Sequence, residues 1–161
     1  MGKKFFDIID KTVRFIISVL LVLMTLVIFY QVVLRYGFHS SNIWAEEFAR
    51  YAFIWVVMLG SGCAMRAYKH IRVDFFLDRM EPKVRYYVEL GSYILMLVTL
   101  VMLTYYGVNI AARTTNLLSA GLHVSKGFMY SSIPVGCILM ILFIIEILAN
   151  DFGGKKGNAD K

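Results

Sequence analysis

Four long runs without a formal charge occupy most of this chain, and no water-soluble fold of its size has an interior large enough to hide them. Residues 15–34 make 20 uncharged positions, which at about 1.5 Å per residue match a hydrocarbon core of roughly 30 Å. Residues 90–112 and 127–145 supply 23 and 19 more, enough to cross with modest tilt. Residues 51–65 supply only 15, so a second crossing must borrow the polar stretch 44–50. The pattern predicts an all-α membrane protein with four transmembrane helices at about residues 13–36, 43–67, 82–117 and 126–150. With 59% hydrophobic residues, short connections and no internal repeat, residues 1–152 are expected to form a single membrane domain.

The basic residues orient it. Lys3, Lys4, Lys11 and Arg14 precede the first run, Arg66, Lys69, Arg72, Arg79, Lys83 and Arg85 separate the second from the third, and Lys155, Lys156 and Lys161 follow the fourth. Only Arg35, Arg50, Arg113 and Lys126 of the 17 basic residues fall on the other side. The positive-inside rule therefore puts both termini and the middle connection in the cytoplasm. The net charge of +6 is read as topology and attraction to the headgroups of phospholipids, with no nucleic acid as partner.

Lys3 and Lys4 before an apolar run imitate a secretory signal, but the run is too long and residues 31–36 offer no small-residue cleavage site, so it is expected to stay as an anchor. Phe5, Ile8, Ile9, Val13 and Ile16 share one helical face and Lys3, Asp7, Asp10, Lys11 and Arg14 the other, which predicts an amphipathic lead-in lying in the headgroup layer. A third helix over 82–117 would be about 54 Å long and must tilt strongly or project from the bilayer. The Gly- and Lys-rich tail 153–161 is expected to be disordered.

Little here suggests chemistry. Cys63 and Cys137 fall inside expected spans without metal-ligand spacing and read as buried packing residues. His39, His70 and His123 all fall in connections, so opposed haem ligands at mid-membrane are not available, and no cofactor is expected. No ionisable residue falls near the midplane, where transporters of ions or substrates carry them. Glu89 follows Arg85 by four residues and is explained by a surface pair. Glu146 has no such partner on its own helix and is expected to make a contact across helices or subunits.

The strongest polar cluster runs from Trp44 to Arg50 with Arg35 just upstream. Asn42 is a candidate N-cap that places Glu46 and Glu47 in the first turns of a helix, where negative charge suits the dipole. Glu46 and Arg50 have the favourable i,i+4 spacing, and Trp44 suits an aromatic belt. Arg50 is not explained by helix-start electrostatics alone, and a network joining Glu47, Arg50 and Arg35, or a second protein, is expected to satisfy it. Gly60, Ser61, Gly62 and Ala64 cluster on the second helix, and Gly107 with Ala111 repeats the small-xxx-small spacing on the third; such positions serve close packing within one chain or between subunits. Pro134 with Gly136 is expected to bend the fourth helix. The middle connection carries Arg66, His70, Arg72 and Asp74 among apolar Ile71 and Phe75, which suggests an interfacial segment, and Pro82 fits the first turn of the next helix.

These residues resemble a family. A basic N-terminus, a first helix ending in Tyr30-Gln31-Val32-Val33-Leu34-Arg35-Tyr36, Trp44 with Glu46-Glu47 opening the second, then Arg66 and His70-Ile71-Arg72-Val73-Asp74 look like the small membrane subunit of the tripartite ATP-independent periplasmic (TRAP) transporters. The resemblance covers nearly the whole chain. It implies no enzyme but a scaffold in the bacterial inner membrane, with a large ion-coupled membrane subunit and a periplasmic substrate-binding protein as partners. It further implies sodium-driven uptake of an organic acid such as sialic acid or a C4-dicarboxylate, with Trp44, Glu46 and Glu47 at the periplasmic end facing a partner. The competing readings are an autonomous four-helix proton-coupled exporter, which needs a glutamate in the first helix where this chain offers only Ser18, Thr25 and Gln31, and a structural anchor of another membrane complex.

Overall fold

The computed structural model describes residues 2–40, 42–67 and 82–153. His70, Arg72 and Asp74 lie outside the described residues, as does the expected tail from 154 onward. Five helices follow one another: α1 Gly2–Gly37, α2 Ile43–Ala67, α3 Pro82–Thr114, the short α4 Lys126–Tyr130 and α5 Ser132–Gly153. Four stretches are long and apolar enough to cross a membrane, Lys4–Gly37, Ile43–Ala67, Tyr87–Thr114 and Lys126–Leu148.

The expected amphipathic lead-in forms the first third of one unbroken 36-residue helix rather than a separate segment. No Pro or Gly interrupts residues 3–36, and Phe6, Ile9, Val13 and Ile17 pack against a core of Leu59, Leu139 and Phe143. That apolar stripe ties the segment to α2 and α5, so it continues the axis of the first span. Helix α3 begins at Pro82, where a missing N–H costs nothing, and ends at Thr114 rather than 117. There Thr114 and Thr115 turn their hydroxyls back onto the carbonyls of Ile110 and Ala111, both at 2.8 Å, a local bond that competes with helix continuation.

The fourth crossing breaks earlier than expected, at Ser131, between α4 and α5. Pro134 still explains it. A proline ring clashes with the carbonyl four residues back, which is Tyr130, the last residue of α4. Pro134 thereby becomes a first-turn residue of α5 rather than the apex of a bend.

The spanning helices pack in the order α1, α2, α5, α3. Helix α5 is the centre: Phe143 and Ile144 are fully buried and Cys137 nearly so. On its other side Leu100, Cys137 and Ile144 form a second core with Tyr93, Leu97, Ile133 and Met140. In lipid, apolar surface gains nothing by moving from acyl chains to another helix, so close fit carries association. The fit here is made by glycine. A Cβ on Gly62 would stand 2.7 Å from Leu139, one on Gly107 3.0 Å from Pro134, and one on Gly136 2.8 Å from the Met58 side chain and 3.0 Å from its carbonyl oxygen.

Candidate functional site

Two polar centres sit at opposite ends of this bundle. At one end Arg66 closes α2. Helical side chains lean toward their helix N-terminus, so the guanidinium reaches back into the apolar layer, where it lies 5.5 Å from the centroid of the Phe143 ring. Glu146 of α5 meets it as a two-point acceptor, Nε and Nη2 each donating at 2.9 Å. Nη2 also donates to Asp7 at 2.5 Å, and Asp10 lies 3.7 Å from Nη1. Asp10 in turn accepts from Arg14 Nε at 2.8 Å, and Arg14 donates to the Cys63 carbonyl at 3.4 Å. Three helices are thus joined through one side chain that is only 17% exposed, on a glutamate that is 9% exposed. A charge so placed is tolerated only when paired and hydrogen-bonded, and the fork geometry of arginine supplies both at once.

At the other end Glu47 does not join Arg50 or Arg35. Its carboxylate accepts three consecutive backbone N–H groups from the connection between α3 and α4: Ala120 at 3.1 Å, Gly121 at 2.8 Å and Leu122 at 2.9 Å. The connection is closed by a bridge between Leu118 and Ser125, with Ser119 N–H on the Val124 carbonyl at 2.9 Å and Lys126 N–H on the Leu117 carbonyl at 2.8 Å. Gly121 is required, because a Cβ there would lie 2.8 Å from the Trp44 backbone nitrogen. His123 follows in the left-handed region, φ 54°, which turns the chain back toward α4. Ser125 ends the connection, its hydroxyl donating to the Thr115 carbonyl at 2.6 Å and accepting from Gly127 N–H at 3.1 Å. The loop is therefore stitched to α2 by Glu47 and, through Ser125, to Thr115 just past the end of α3.

The other expected residues are distributed as follows. Glu46 and Arg50 form their i,i+4 pair at 3.0 Å with both side chains exposed, and Arg85 pairs with Glu89 at 3.2 Å. Arg35 makes no ion pair among the described residues. Trp44 lies against Tyr30 of α1, ring centroids 6.2 Å apart. Asn42 caps nothing among the described residues, and α2 starts just after it. Ala111 receives Gly127, whose Cβ would stand 2.8 Å from the Ala111 carbonyl oxygen. Gly60 faces open space, and Ala64 is half-buried. Cys63 and Cys137 are free and buried. Among the described residues no cluster of His, Cys, Asp and Glu has the geometry to hold a metal ion.

Sequence reasoning missed the role of Arg66, assigned to a connection, and the wedge at Gly121. A signal for the first existed: Arg66 and Glu146 are charges at the same end of two crossings, each within one turn of uncharged helix.

A helical protein with four membrane-crossing stretches emerges, in which charged side chains among the described residues brace helices and a loop. Residues 24–154 match the DctQ component of the tripartite ATP-independent periplasmic transporters, and the chain belongs to that family of transporter components. It is 27% identical over 143 residues, 89% of this chain and 83% of the relative, to the sialic acid TRAP transporter small permease protein SiaQ of Vibrio cholerae. It is 29% identical over 122 residues to the sialic acid TRAP transporter permease protein SiaT of Haemophilus influenzae, covering 76% of this chain but only 20% of that much longer protein. A C4-dicarboxylate TRAP transporter small permease protein, DctQ of Vibrio cholerae, is 30% identical over 76 residues, 47% of this chain and 33% of the relative.

Proposed function

We propose that this small permease subunit braces a large ion-coupled membrane subunit and helps a periplasmic binding protein dock, for sodium-driven uptake of sialic acid, with both of its own termini in the cytoplasm. The observation that carries the scaffold role is the use made of its charges. Arg66, Asp7, Asp10 and Glu146 are spent on each other, and Glu47 on a loop. Both centres lie at helix ends, whereas a chain that carried a solute itself needs ionisable or broken backbone near the midplane. Sialic acid is favoured over a C4-dicarboxylate because the relatives named for it align over 76% and 89% of this chain, against 47% and 65% for the C4-dicarboxylate small permeases of Vibrio cholerae and Rhodobacter capsulatus. The match to one-fifth of a longer permease supports a large membrane partner.

The test is uptake of radiolabelled sialic acid into proteoliposomes under an inward sodium gradient, with binding protein outside. This chain alone, the large subunit alone and the pair are compared, with succinate as the competing substrate. Sialic acid uptake by the pair only is the expected result. Uptake by this chain alone would overturn the scaffold role, and uptake of succinate in place of sialic acid would overturn the substrate.

A further inference from the structure

Helix α2 is flanked by α1 and α5, and from Glu46 to Ser61 its exposed residues are Glu46, Arg50, Phe53, Val57 and Ser61. Spacings of four, three, four and four put them on one helical face. Beside them, a Cβ on Gly60 would meet nothing within 4 Å. Charge stands at one end of this stripe. Arg50 Nη2 donates to Glu46 Oε1 at 3.0 Å, with the two side chains 60% and 65% exposed. Among the described residues Arg50 makes no other hydrogen bond or ion pair, so most of its five N–H donors are unmet.

Depth and charge select the occupant. Arg50 and Arg66 are 16 residues apart, about 24 Å of helix against a hydrocarbon core of ~30 Å. With Arg66 at one edge of the apolar layer, Arg50 starts about one turn inside the other edge. Acyl chains offer its donors nothing, and a water-soluble protein does not reach Val57 and Gly60 within that layer. A second copy of this chain, inserted the same way, pairs about a twofold axis and brings Arg50 toward Arg50 and Glu46 toward Glu46, an apposition of like charges. A helix of a different membrane subunit meets none of these objections, and a carboxylate on it suits the free edge of the guanidinium. We propose that this stripe of α2 receives one membrane-spanning helix of the large subunit, which sets an acidic side chain against Arg50 and approaches closely at Gly60. The inference rests on the scaffold role and is independent of the substrate.

The assembled two-subunit transporter carrying Phe53→p-benzoylphenylalanine is purified, irradiated and weighed by mass spectrometry, and the cross-linked peptide is sequenced. A cross-link is expected to a membrane-spanning segment of the large subunit that carries Asp or Glu within about one turn of the linked residue. Arg50→Ala should weaken copurification of the large subunit about tenfold or more. It should leave the isolated chain's unfolding midpoint nearly unchanged, because an exposed i,i+4 pair contributes little. Alanine at the acid so identified should weaken copurification equally, and the two substitutions together no further. A phospholipid adduct at position 53, a link to a second copy of this chain, no adduct, a linked segment without an acid, or full copurification of Arg50→Ala would each overturn the proposal while the unsubstituted pair still copurifies. Failure of the unsubstituted chain to hold the large subunit would instead overturn the scaffold role on which the proposal rests.

Discussion

Arg66 shows how one side chain carries risk as well as cohesion. Removing Glu146 by Glu146→Ala leaves a guanidinium in a largely buried site with only the more exposed Asp7 and the distant Asp10, and breaking such a pair costs about 3 kcal/mol or more. Asp7→Asn touches a carboxylate that is 65% exposed and should cost less than about 1 kcal/mol. Unfolding midpoints in mixed micelles should separate the two variants in that order; equal midpoints would show that Glu146 is not the main counter-charge. Glu47 permits a finer test, since an amide side chain has one accepting atom where the carboxylate has two. In Glu47→Gln the Ala120 amide alone should exchange faster with deuterium, whereas in Glu47→Ala the amides of Ala120, Gly121 and Leu122 should all do so. Uniform behaviour in both would refute the three-point clamp. The sequence made Glu46–Arg50 and Arg85–Glu89 legible because their partners are four residues away on one helix. It hid Glu47 and Arg66 because their hydrogen-bond partners are 59 to 80 residues away, and which helices are neighbours is not written in hydropathy.

Helices were legible as elements because a charge-free run of about 20 residues has few other fates in a chain this apolar. Their ends and joints were less so. The lead-in reads as a surface helix by its charge pattern, yet Asp7 and Asp10 on its polar side are what Arg66 holds, so the polar face is itself an internal contact. Glycines divide by what stands opposite them. Gly136→Ala drives a Cβ to 3.0 Å from a backbone oxygen that cannot swing aside and should destabilise the chain by about 1 to 3 kcal/mol. Gly60→Ala meets nothing within 4 Å and should raise the stability of the isolated chain by up to about 1 kcal/mol through helix propensity. The same Gly60 substitution tests the proposed scaffold role, because a small residue at open space on a membrane helix suits a partner helix. Loss of copurification with the large subunit in Gly60→Leu, with the isolated chain's unfolding midpoint held, is the result expected if this face is covered by that subunit; unchanged copurification removes it from the interface.

At the scale of the molecule, orientation follows from where charge cannot go during insertion. Thirteen of the 17 basic residues precede the first crossing, separate the second from the third or follow the fourth, and in the proposed topology that excess acts as a retention signal only near the ends of the crossings, where Arg14, Arg66 and Arg85 stand. In the proposed orientation the Arg66 centre belongs to the cytoplasmic end and the Glu47 loop to the periplasmic end, where the proposed docking would present that loop to a soluble partner. Cysteine labelling decides this with little background, because Cys63 and Cys137 are both buried. Ser40→Cys and Ala67→Cys place thiols at exposed positions of opposite ends without deleting a basic residue, so the determinant of topology stays intact. In intact spheroplasts a membrane-impermeant maleimide should label position 40 and reach position 67 only after permeabilisation. The reverse pattern would put the Glu47 loop in the cytoplasm, where a periplasmic binding protein has no access to it, and docking at that loop would have to be abandoned even if the helix packing were correct in every contact.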